Sequence, residues 1–74
     1  MIINLSSILN KIKFHNKIII INDDHSIINL LKFNDSFIYS FNIIKNNNTI
    51  KKGLIDYSKI NTLIEIKHIN KIFY

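Results

Sequence analysis

The sequence predicts an α+β fold: one small domain with two helices on a small, mainly antiparallel sheet, in the order αβαββ plus an extended tail. Three observations predict it. Apolar residues recur at helical spacing near the start. Four isoleucines run together from Ile18 to Ile21. Phe37, Tyr39 and Phe41 then alternate with polar neighbours ahead of a cluster of asparagines.

Taken in order, Ile2 to Phe14 reads as the first helix, because Leu5, Ile8, Leu9 and Ile12 share one face. Asn4 is placed to cap its N-terminus, and Lys11, Lys13 and Lys17 lie where cations complement the negative end of the helix dipole. Lys17 to Asn22 is β-branched and too short for a helix. Both its faces are apolar, as in a strand covered on both sides. Asn22, Asp23 and Asp24 then offer a cap and first-turn carboxylates for a second helix to about Phe33, with Ile27, Ile28, Leu30 and Leu31 facing inward. Asn34 to Ser36 ends it. Phe37 to Lys45 alternates as a half-buried strand, Asn46 to Asn48 turns, and a strand returns from Thr49 to about Tyr57. Gly53, the sole glycine, marks a bulge or a close approach. Asn61 to Ile69 is expected to be extended.

Composition narrows the function classes. At 74 residues the chain buries only about 60% of its unfolded surface, so a larger assembly is the expected source of added stability. Cysteine is absent, which excludes disulfides and thiolate metal sites. Isoleucine fills 20 positions and asparagine 12, while alanine, valine, arginine and glutamine never occur. Folding physics does not demand so complete a preference. AT-rich codons do, which points to an organellar genome, mitochondrial first and another AT-rich organelle second. The net charge is +5 and all ten basic residues are lysine, a balance that favours polyanionic partners. No apolar run approaches the length of a membrane span.

Little in the chain suggests catalysis. His15, His25 and His68 are too far apart in sequence to pair on a helix, so no metal site is expected. Asp23 and Asp24 are better explained by a helix N-terminus than by metal ligation. The serines have no evident base, and no glycine-rich phosphate loop exists. Neither a catalytic residue nor a cofactor is expected. The aromatic stripe Phe37, Tyr39 and Phe41 reads as core before it reads as a base-stacking platform. The lysines are the functional candidates, and as point charges they suit phosphate anchoring better than base reading.

The order of several short motifs resembles a known family. These are Leu9-Asn10-Lys11-Ile12-Lys13, then Ile27-Ile28-Asn29-Leu30-Leu31-Lys32 followed by Phe37-Ile38-Tyr39-Ser40-Phe41, then Ile55-Asp56-Tyr57, and Ile66-Lys67-His68-Ile69-Asn70. Together they are similar to the N-terminal half of the universal, bacterial-type small-subunit ribosomal protein eight family. The likeness covers nearly all of this chain and about half of a family member. Ser36 stands where the family has glycine, Asp23-Asp24 where it is basic, and Asp56 where it has lysine. The family's C-terminal domain, with its main RNA-reading loop, has no counterpart here.

The resemblance implies a structural constituent of an organellar small ribosomal subunit that binds ribosomal RNA. Lys11 and Lys13 carry over from the first helix, and Lys67 and His68 from the later basic stretch. Lys17 and Lys71 join them on charge, with Lys51, Lys52 and Lys59 in reserve. Implied partners are small-subunit ribosomal RNA, neighbouring ribosomal proteins and a separate chain supplying the missing half. The rival expectation is a small accessory subunit of an organellar membrane or respiratory complex.

Overall fold

The computed structural model describes residues 4–74. Its elements are helix α1 (Leu5–Lys13), strands β1 (Lys17–Asn22), β2 (Ile27–Lys32), β3 (Ile38–Lys45) and β4 (Asn48–Asp56), two 3-10 turns (Tyr57–Thr62 and Ile66–His68), and strand β5 (Ile69–Phe73). The five strands form one antiparallel sheet in the order β4-β3-β2-β1-β5. The α+β class and the helix-first order are as the sequence predicts. Ile2, the expected first residue of the helix, lies outside the described residues.

Helix α1 forms for the expected reasons. The Asn4 side chain accepts the Ser7 amide at 2.8 Å, which satisfies a donor at the N-terminus. Ile8 and Ile12 are buried on the sheet. At the other end the Lys32 ammonium donates to the carbonyl of Lys13, so a strand lysine caps the helix C-terminus.

The expected second helix is a strand. Residues 22–26 form a tight turn and Ile27–Lys32 is β2, paired to β1 with Ile18 opposite Leu30. The Asp24 carboxylate accepts both the amide and the hydroxyl of Ser26, while His25 takes a left-handed backbone at φ 69°. The Asp24 carboxylate, which could have served a helix start, therefore closes a hairpin instead. The apolar spacing of Ile27, Ile28, Leu30 and Leu31 fits either period. Here Ile28 and Leu30 are buried, while Leu31 faces out. The family resemblance implies a helix over the same residues, and the structure departs from it there.

Asn34–Ser36 turns the chain from β2 into β3, with Asp35 left-handed and the Ser36 hydroxyl accepting the Ile38 amide at 3.1 Å. Lys45 pairs with Asn48, so Asn46 and Asn47 alone make the β3–β4 turn, both with positive φ. Gly53 is a close-approach point: a Cβ there would lie 3.2 Å from the Phe41 ring. The irregularity in the ladder falls elsewhere, between Ile43 and Ile44. The tail also differs from expectation. Residues 57–68 cross the helix-bearing face in two 3-10 turns, burying Ile60 and Ile64, before β5 pairs with the far edge of β1. The Asp56 carboxylate accepts the Ser58 amide and starts that crossing.

The core lies on one face only. Ile18, Ile20, Ile28, Leu30, Tyr39 and Phe41 point from the sheet toward Ile8, Ile12, Ile60 and Ile64. Fully burying each such side chain contributes roughly 1.5–3 kcal/mol. The molecule is a slab 31 × 31 × 19 Å, the thickness of a sheet with one covering layer. Among the described residues nothing covers the opposite face of the sheet.

Candidate nucleic-acid interface

Helix α1 and β1 are joined by only Phe14, His15 and Asn16, so the end of the helix and the start of the strand form one corner. Lys11, Lys13 and Lys17 lie around that junction, all exposed. Tyr74 follows β5 into the same corner, because Phe73 pairs with Ile19. The Tyr74 ring lies 4.9 Å from the His15 ring, and the Lys11 ammonium stands 5.7 Å over it. Partial burial raises the Tyr74 phenol above its ordinary pKa. Aromatic packing thus holds one cation of the corner in place without neutralising it.

Ion pairs lie elsewhere. Among the described residues Lys45 pairs with Asp24 at 3.3 Å, and the His68 ring nitrogen Nε2 lies 3.0 Å from the Glu65 carboxylate, both exposed. Ser26 and then Lys45 hold the Asp24 carboxyl down at about 2. Lys32 is committed to the Lys13 carbonyl and lies 5.6 Å over the Tyr39 ring. Lys11, Lys13 and Lys17 form no ion pair among the described residues.

The expected RNA-binding residues separate into groups. Lys11 and Lys13 flank the last turn of α1 on either side of Ile12, and Lys17 opens β1, so the three surround the α1–β1 junction. Lys71 sits on β5 opposite Ile21, three residues before Tyr74 and about 10 Å along the strand. Lys67 and His68 lie at the other end of β1, where the His68 carbonyl accepts the Asp23 amide at 2.7 Å. The five steps from Lys17 to Asn22 put that end about 17 Å away. His68 is also engaged by Glu65. Of the reserve lysines, Lys52 points to the open face opposite Asn42, Lys51 is opposite Ile43, and Lys59 lies in the first 3-10 turn. Sequence reasoning missed the part played by His15 and Tyr74, whose contact depends on β5 pairing with β1.

Among the described residues no three of His, Asp and Glu are grouped as metal ligands. No helix among them is long and apolar enough to cross a membrane. Compared with known proteins, the chain matches no family model, no curated protein and no solved structure.

Proposed function

We propose that this chain is a non-catalytic constituent of a ribonucleoprotein, the small subunit of an organellar and specifically mitochondrial ribosome, where it grips ribosomal RNA through lysine–phosphate contacts. One observation carries the reading: Lys11, Lys13 and Lys17 lie exposed around the α1–β1 junction, and among the described residues none of them is in an ion pair. Phosphates drawn to that corner release counterions, which is the main source of affinity in such contacts. Lys71 extends the footprint along β5. Lys67 and His68 form a second, weaker contact at the far end of the sheet.

The ribosomal assignment draws on the AT-rich alphabet and on the order of family-like motifs, of which the first helix keeps its form in the structure. A small fold with a one-sided core also suits a component stabilised by its assembly. Neighbouring ribosomal proteins, or a separate chain supplying the family's C-terminal half, are the partners this reading supplies.

Exposed Leu31 and Leu54 on the face away from α1 favour one second reading, an accessory subunit of an organellar membrane or respiratory complex. Fractionation separates the two. A ribosomal protein leaves the membrane fraction on salt washing and co-sediments with small-subunit RNA. Retention in a detergent-solubilised complex free of RNA would overturn the proposal.

A further inference from the structure

The face of the sheet away from α1 holds a trough of about 920 Å³. Its floor is β2 and β3, where Asn29, Ser40 and Asn42 are short and polar. Ile19, Leu31 and Leu54 rise around them, and Leu31 and Leu54 are 54% and 66% exposed. Lys17 on β1 stands at one side and Lys52 on β4 at the other. Three strand spacings separate those lysines' strands, about 14 Å. An α-helix is about 10–12 Å across. The Asn42 side-chain oxygen is buried and has no hydrogen-bond donor.

We propose that this trough seats an amphipathic helix of a partner protein, with an apolar stripe facing Leu31 and Leu54 and carboxylates along both flanks meeting Lys17 and Lys52. Charge selects the flanks: Lys17, Lys52 and Lys71 all lie on this face, and Asp56 at one corner is the carboxylate that shares it. Backbone chemistry selects a helix. The strands beneath have spent their amides and carbonyls in the ladder, so an extended segment laid over them would bury its own unpaired. A helix brings its backbone already bonded.

Other occupants fit less well. A second copy of the chain would set lysine against lysine. Single-stranded RNA needs aromatic platforms for its bases, and Phe73, the exposed aromatic opposite Ile19 on this face, lies on β5 outside the trough lining. The helix site goes beyond the RNA reading and occupies a different surface, with Lys17 at their boundary.

The test uses the isotopically labelled full chain and two stapled helical peptides of about 18 residues, matched in a leucine stripe and flanked by glutamate or by lysine. The glutamate peptide is expected to shift the NMR signals of Asn29, Ser40, Asn42 and Leu54, leaving Lys13 unmoved. Lys52→Glu should weaken that peptide by about fivefold and favour the lysine-flanked one. Lys52 is exposed on an edge strand, so the variant keeps the fold. Equal binding of both peptides by the unaltered chain would overturn the proposal. So would an oligouridylate shifting the trough signals, or a dimer that masks the trough in solution. Because the RNA reading is scored at Lys11 and Lys13, either claim can fail alone.

Discussion

The Tyr39 hydroxyl donates a hydrogen bond to the Ile12 carbonyl across 3.2 Å, tying the middle of the sheet to the last turn of α1. Tyr57 repeats the device with the Leu9 carbonyl at 2.7 Å. One phenol from β3 and one from the first 3-10 turn therefore fix the C-terminal half of the helix that carries Lys11 and Lys13. Burial raises the Tyr39 pKa, so its proton stays in place at neutral pH.

Replacing Tyr39 with phenylalanine tests that anchor. The ring still fills its fully buried site, and the Ile12 carbonyl keeps the His15 amide. The loss is then one net hydrogen bond, about 1 kcal/mol in urea unfolding. No loss would show that packing alone sets the helix.

The turn at Asp24 gives a pH signature. Its folded pKa, about 2, lies below the ordinary 3.8, chiefly because Ser26 donates to the ionised form. The stabilisation is complete above about pH 5 and fades as pH falls through 4 toward 2. Asp24→Asn should lower the unfolding midpoint at neutral pH and flatten the acid limb, leaving the part due to Asp56, which is also held low. An unchanged acid limb would refute the hydrogen-bonded turn.

The β3–β4 hairpin tolerates two asparagines because asparagine accepts left-handed backbone better than most residues. Asn47 has φ 65°. Asn47→Gly should therefore match or raise the stability of the chain, and Asn47→Ala should cost about 1 kcal/mol. Thermal unfolding of both variants checks the pair, and the reverse order would mean a different turn.

Much of the fold is legible in the sequence, and the failures have a common cause. Asn4 capping, the isoleucine strand, the alternation from Phe37 and the asparagine turn are all local signals, and each is found. The segment Asn22–Lys32 is not local in that sense. Its carboxylates and paired isoleucines suit a helix start and a hairpin equally, and only the ladder to β1 decides between them. The tail was unreadable for a similar reason, since Ile60 and Ile64 are buried only once residues 57–68 lie across the helix-bearing face. Of the candidate site, Lys11 and Lys13 were readable from helical spacing. Their company, His15 and Tyr74, depends on an edge strand that pairs with β1 from fifty residues away. The isoleucines on both faces of β1 also foretold two covered faces, and the structure covers one.

The grip of the corner on RNA is tested most directly by the salt dependence of binding to small-subunit ribosomal RNA. Measured for the unaltered chain and for Lys11→Gln/Lys13→Gln together, the slope of log affinity against log salt should fall by about two units in the double variant. Glutamine preserves the helix, which circular dichroism confirms alongside. An identical slope in a folded double variant would contradict the claim that these lysines hold phosphate.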